Sequence, residues 1–177
     1  MQNEESDVLN RFQLGDTAAF ETLFRVHQRA VHGWLLRMVR NHAAAEDLTL
    51  ETFWRIHQAH ARFHPAQGFE GWARRIATRA ALDWLRGRKV ECELPAEIPA
   101  AMGADPAVSA EIRSKVALAL GRLPPKLRIA ATLALIEDLP GKEVAEALGI
   151  SLAAQKLRVF RAVRLLRKEL EQQGIKP

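Results

Sequence analysis

The chain has 177 residues, with 26 Lys and Arg against 21 Asp and Glu, a net charge of +5. Hydrophobic residues make up 48% of it, enough for a packed core, which argues against wholesale disorder. No window approaches the run of about 18 uncharged apolar residues that a membrane span needs, and the single cysteine, Cys92, excludes an internal disulfide framework and a multi-cysteine zinc site.

The first seven residues, Met1–Asp7, are acidic with no apolar run behind them, so no secretory signal is expected. The expected compartment is a reducing cytoplasm. Leu9 and Phe12 predict a short opening helix. Asp16 or Thr17 can cap a long second one, in which Phe20, Leu23, Phe24, Val31, Trp34, Leu35 and Met38 recur at three- and four-residue steps. Asn41 can cap a third helix over Ala43–Arg62. Glu46 and Asp47 in its first turn suit the helix dipole. Leu50 beside Glu46, Asp47 and Glu51 makes a face that mixes an apolar anchor with carboxylates. That face suits a protein partner, since DNA is repelled by it.

His64-Pro65-Ala66-Gln67-Gly68 is a loop by composition. A fourth helix is predicted over Gly71–Lys89. Arg75, Arg79, Arg86, Lys89 and Trp72 share one stripe of it about 100° wide, while Ile76, Ala77, Ala80 and Leu85 lie elsewhere. Two readings of the stripe stand open. One is a strand-binding face, where cations neutralise phosphates and the indole stacks on a base. The other is a solvated basic face with Trp72 buried.

Residues 90–107 hold Glu91, Glu93, Glu97 and Asp105 and no Lys or Arg, a net of −4, between flanks of +3 and +6. Pro95, Pro99, Gly103 and Pro106 break any helical period there, so the segment reads as an acidic linker. Asp105-Pro106 starts a helix to about Gly121, and a second spans about Pro125–Glu137. After Pro140-Gly141 comes helix-turn-helix spacing: small Ala145, Gly149 four residues on for a positive φ, Ile150 turned inward, and Ser151 as cap. The long last helix is predicted to bury Leu152, Val159, Val163, Leu166 and Leu170 and to face Arg158, Arg161, Arg164 and Lys168 outward.

These stretches resemble a group IV sigma factor of the extracytoplasmic-function type, which directs bacterial RNA polymerase to promoters. Ala45-Glu46-Asp47-Leu48-Thr49-Leu50-Glu51-Thr52-Phe53-Trp54-Arg55 is similar to the family's polymerase-binding helix. Phe69-Glu70-Gly71-Trp72 through Asp83-Trp84-Leu85-Arg86 is similar to its promoter-melting helix. Leu123-Pro124-Pro125-Lys126-Leu127-Arg128 through Ser151, with Lys156-Leu157-Arg158-Val159-Phe160-Arg161, is similar to its second DNA-binding domain. The likeness covers nearly the whole chain in order.

The resemblance implies an all-α protein of two small helical domains joined by a flexible linker, the second a helix-turn-helix domain of winged-helix-like, four-helix form. Residues 1–90 are expected to bind core polymerase and melt the minus-ten element. Residues 91–107 would form the linker, and 108–177 would read the minus-thirty-five element. It implies that Glu46, Asp47, Leu48, Leu50, Glu51 and Arg55 dock on the β′ clamp helices. It implies that the loop from His64 through Gln67 to Phe69 captures a flipped base, and that Trp72, Arg75, Arg79, Asp83, Arg86 and Lys89 border the unwound strand. Ser151, Lys156, Leu157, Arg158 and Arg161 would read duplex bases, with Arg128 on the backbone. The polymerase β flap, promoter DNA and an anti-sigma factor are the other expected partners. Leu50 stands where the family usually has Gln, Arg79 where Asn is common, Leu157 where Ser is common, and Gln155 at a usually apolar position.

Other readings carry less. His57, His60 and His64 stand at steps of three and four and raise a zinc or copper site. His64 falls in the predicted loop, no Cys is near and carboxylates are sparse, so no metal and no cofactor is expected. No nucleophile–base grouping or nucleotide-cradling loop is apparent, so no catalysis is expected. A polymerase-independent helix-turn-helix regulator, which would not need the Glu46–Arg55 helix, is one alternative, and a degenerate sigma-like interaction protein is a second.

Overall fold

The computed structural model describes residues 2–87 and 106–175. Lys89, Cys92 and the expected linker as far as residue 105 lie outside the described residues. All regular structure among the described residues is helical.

Helix α1 (Gln2–Gln13) leads through a turn at Gly15 (φ +87°) into α2 (Thr17–Val39). Asp16 caps α2: its Oδ1 accepts from the N–H groups of Ala18 and Ala19 at 2.8 and 3.1 Å. Helix α3 (His42–Gln58) is capped by Asn41, whose side chain accepts from the Ala44 N–H at 2.8 Å. It stops short of the expected Arg62. Ala59 leaves helical geometry and a separate 3-10 turn, His60–Arg62, follows. There the His60 Nδ1 lies 3.1 Å from the Gln13 carbonyl, so a tertiary contact redirects the chain. A second 3-10 turn, Pro65–Gln67, ends at Gly68 (φ +72°). Helix α4 (Phe69–Gly87) begins two residues before the expected start.

The second block opens with α5 (Pro106–Arg122), starting where Asp105-Pro106 predicts. Helix α6 (Pro125–Ala131) was expected to reach Glu137. Instead the chain widens into one π-type turn, Thr132–Ile136, in which the Glu137 N–H bonds the Thr132 carbonyl five residues back at 3.0 Å. Helices α7 (Gly141–Leu148) and α8 (Leu152–Gln172) meet at Gly149, in the left-handed region at φ +64°. The Ile150 N–H bonds the Ala145 carbonyl at 3.0 Å, and the Ser151 side chain accepts from the Ala154 N–H at 3.2 Å. This is the turn the sequence predicts, closed at both ends.

The α8 stripe is rolled from the expected one. Gln155, Ala162 and Leu166 are buried, Val159, Val163 and Leu170 are half-buried, and Leu152 is exposed. Gly141 makes the room, since a Cβ there would lie 3.3 Å from the Gln155 Oε1.

The two blocks lie side by side. One continuous core takes Phe12, Val31, Leu35, Met38, Ile56 and Phe63 from the first block and Ile129, Leu133 and Val144 from the second. A smaller core under α8 holds Ala119, Leu120, Leu123, Ala131, Ala162 and Leu166. Arginines cross the seam. Arg40 donates to the Ala117 carbonyl at 2.7 Å, and Arg128 donates to the Met38 carbonyl at 3.0 Å. Met38 is in the last turn of α2, whose carbonyls lack helical partners, so Arg128 caps one helix from another. Arg128 is 1% exposed. The expected contact of Arg128 with the DNA backbone is not made in this arrangement, where its guanidinium serves the end of α2 across the seam.

Candidate nucleic-acid interface

Helix α4 separates its two faces by helical period. Ala73, Ala77, Thr78, Ala80 and Ala81 are buried against α2 and α3. Arg79, Asp83 and Arg86 are exposed, and Arg75 is half-buried. Small residues bring the helix close to its neighbours and leave the long cations on the rim.

The loop before α4 rests on an aromatic cluster. Phe12 lies between Phe63 (ring centroids 5.6 Å apart) and Phe69 (5.9 Å), and Trp72 packs on Phe63 at 5.0 Å. Phe69 is 3% exposed. The expected role of Phe69 in base capture is corrected: its ring is floor, not contact surface, because α4 starts at Phe69 and turns it inward. Trp72 is half-buried. The two sequence readings of Trp72 thus meet in the middle. His64 and Gln67 are exposed on the loop above this floor.

The histidine His27 covers Phe69 from α2, with centroids 4.8 Å apart. Burial pushes its imidazole below the usual histidine range, against the opposite pull of Glu70 and Glu5. The depressed folded pKa means that the neutral ring contributes fully above the unfolded value of about 6.5, and that this contribution is lost as pH falls below it, where the unfolded chain takes the proton first. His27→Gln is expected to flatten the fall in unfolding free energy between pH 7.5 and 5.5. Urea titrations at both pH values check it, and a slope equal to that of the parent chain would refute it.

On α3, Glu46, Asp47, Leu50 and Glu51 are exposed together. Leu48 is 3% exposed. Its expected role in polymerase docking is corrected: one helical step from Asp47, it turns into the core. Sequence reasoning missed Trp54, which is 61% exposed, close to Leu50 at 65%. Both border a groove of about 590 Å³ whose other walls include Phe20, Phe24, Phe53 and His57. The spacing of Leu50 and Trp54, one turn apart, was the available signal.

The carboxylate face and the cationic face are joined. Glu51 pairs with Arg55 at 2.5 Å, Arg55 with Asp83 at 3.4 Å, and Asp83 with Arg86 at 3.0 Å. Arg55 and Asp83 thus brace α3 against α4 at the surface. Such exposed pairs orient side chains more than they stabilise. Arg79 has no ion pair among the described residues, and Lys89 lies outside them.

On α8, Ser151, Lys156, Leu157 and Arg161 are exposed and Arg158 is half-buried. Phe160 is also exposed, which the sequence reading did not single out. Behind α8, an apolar groove of about 340 Å³ is lined by Val116, Leu120, Leu135, Ile136, Leu166 and Leu170.

Of the three spaced histidines, His57 and His60 make contacts within the protein and His64 is exposed. His57 packs on Phe20 at 4.9 Å, His60 holds the Gln13 carbonyl, and the described residues contain no group of three or more potential metal ligands. No helix among the described residues is long and apolar enough to cross a membrane.

Residues 23–90 match the family model Sigma-70 region 2, and residues 113–166 match Sigma-70, region 4. The chain is 37% identical to RNA polymerase sigma factor CarQ of Myxococcus xanthus, over 92% of this chain and 95% of that protein. It is 34% identical to ECF RNA polymerase sigma factor SigE of Mycolicibacterium smegmatis, over 88% of this chain and 64% of that protein. Its fold is like that of CnrH, solved in complex with the cytosolic domain of CnrY, with a TM-score of 0.68, 24% identity, and 95% of this chain and 97% of that chain covered.

Proposed function

Because the chain belongs to the RNA polymerase sigma factor family, in its ECF branch, we propose that it is a group IV member whose parts divide the work of initiation. Residues 1–90 hold the core enzyme and melt the minus-ten element, 91–107 are an acidic tether, and 108–177 read the minus-thirty-five element. It works by binding alone, in the cytoplasm, and the polymerase supplies the chemistry.

The observation that carries this division is the pairing of unlike faces on adjoining helices. Helix α3 shows Glu46, Asp47, Leu50 and Glu51 to solvent, and α4 shows Arg79 and Arg86, with Arg55 and Asp83 tying the two. A carboxylate face repels DNA and suits a basic protein surface, while the cations suit a strand. The β′ clamp helices fit the first face, with Trp54 added to the contact and Leu48 removed from it. His64, Gln67, Trp72, Arg75, Arg79, Asp83, Arg86 and Lys89 border the unwound strand. Ser151, Lys156, Leu157, Arg158 and Arg161 enter the major groove, Leu157 suiting a thymine methyl. The groove lined by Leu120 and Leu166 takes the β flap. An anti-sigma factor is the expected restraint.

The purified chain is expected to bind core RNA polymerase and to start transcripts at discrete promoters in a genomic DNA fragment pool. Sequencing the 5′ ends reads the result. No retention on immobilised core polymerase would sink the proposal.

A further inference from the structure

We propose that Gln155 and the amino end of α7 form a phosphate seat, which takes one backbone phosphate of duplex DNA lying on α8 and makes Gln155 a phosphate-binding residue. The inference rests on the reading of the second block as the duplex reader.

Gln155 is the residue that points to the seat. It stands in the first turn of α8, where α7 packs on α8, and is 5% exposed. Its backbone N–H bonds the Ser151 carbonyl at 2.9 Å, but its side-chain amide makes no hydrogen bond among the described residues. A primary amide carries donors and an acceptor, and burying it with none of them used costs free energy that an apolar side chain of the same shape avoids. The amide lies at the start of α7. Its Oε1 and Cδ are 3.3 and 3.7 Å from the place a Cβ would take on Gly141, the first residue of that helix. Glycine leaves the way open there, where a methyl group would crowd the amide.

The end of α7 has unmet donors of its own. The first intrahelical bond runs from the Val144 N–H to the Pro140 carbonyl at 3.1 Å, so the N–H groups of Gly141, Lys142 and Glu143 have no acceptor within the helix. Pro140 precedes the helix and supplies no side-chain cap. Pro140, Lys142, Ser151 and Leu152 are exposed around this end, and Lys142 adds a cation. Glu143 is the one acidic residue of the first turn. It lines the cleft that holds Arg74 and Arg75, on the side of α7 turned to α4, and by helical period it stands roughly 160° from Gly141.

A phosphate oxygen satisfies all three features. It accepts from backbone N–H groups and from an amide Nε2, and its charge suits both the helix dipole and Lys142. A helix-turn-helix that lays its second helix in the major groove carries its first helix across the backbone. That docking brings a phosphate past the amino end of α7, and the buried amide of Gln155 then gains the partner it lacks.

Gln155→Met in the full chain tests this, read by fluorescence anisotropy on a labelled duplex of mixed sequence across a salt series. Methionine keeps the length of the side chain and removes the donor. Binding is expected to weaken about tenfold, the loss of one hydrogen bond to a charged acceptor. The salt slope is expected to stay, because a neutral donor displaces no counterion, whereas Lys142→Gln is expected to lower it by about 0.9. Thermal melts separate the seat from packing. Gln155→Met is expected to melt at or above the parent temperature, since it removes an unpartnered buried amide. Lower melting with unchanged duplex affinity makes Gln155 a space-filling residue and overturns the proposal. The second readout needs no variant. In the isotope-labelled parent chain, the Gln155 side-chain amide resonance is expected to move when the duplex is added. A resonance that stays still while those of α8 move overturns the seat, as does one that moves with inorganic phosphate and not with duplex. A parent chain without affinity for duplex strikes the reading of the second block itself, whereas equal binding by parent and Gln155→Met strikes the seat alone.

Discussion

Phe12→Ala is expected to be the most damaging single truncation in the first block. Phe12 is 1% exposed, and its ring meets Phe20, His60, Phe63, Phe69 and Trp72 at centroid distances of 5.6–6.4 Å. Those five rings come from α2, the two ends of the loop region and α4. No neighbour can close over the vacancy without moving a second element. Removing a buried phenyl in such a setting costs about 3–5 kcal/mol, transfer and cavity together. For a chain of this length that lowers the melting temperature by roughly 10 °C. Calorimetry of the purified chain reads it. A fall of less than about 1 kcal/mol would show that the cluster repacks and that α1 is not its keystone. Under the proposed function the consequence extends to strand binding, since the loop carrying His64 and Gln67 adjoins Phe63 and Phe69 of this cluster.

Local rules were legible in the sequence and tertiary choices were not. Asp16, Asn41 and Ser151 cap the helices that their side chains predict, because a cap is decided within three residues. Gly149 takes the positive φ expected of it for the same reason. The boundaries that slipped were set from afar. Helix α3 ends at Gln58 because His60 turns to the Gln13 carbonyl, a contact that spacing does not announce. Arg128 shows the limit most plainly. A cation one turn after Pro124-Pro125 reads as a surface charge, and only the arrival of the α2 carboxyl end makes it a buried cap. Phe69 and Leu48 belong to motifs matched as whole strings. A string does not separate a helix's contact face from its core face, but the helical period does. The side-by-side seating of the blocks was hidden altogether, since Glu137, which pairs with Arg37 and Arg74 of the first block, is far from both in sequence and each alone looks solvated.

Leu50→Glu is expected to weaken capture of core RNA polymerase by on the order of 100-fold, the loss of one interface hot spot. Leu50 is the apolar anchor of a face otherwise made of Glu46, Asp47 and Glu51, and at 65% exposed it contributes little to the fold. It borders the 590 Å³ groove with Phe24, Phe53 and Trp54, so an apolar knob from the partner seated there would be dehydrated on binding. A carboxylate at position 50 must then be desolvated beside three others, which adds repulsion to lost contact. Leu50→Gln separates the two terms: it removes the apolar contact without the charge and is expected to cost less, about tenfold. Circular dichroism melts of both variants should match the parent, because neither side chain is in the core. Competition binding to immobilised core polymerase reads the ratio. Equal affinities for Leu50→Glu and the parent chain would move the docking surface off α3, and with it the assignment of the carboxylate face.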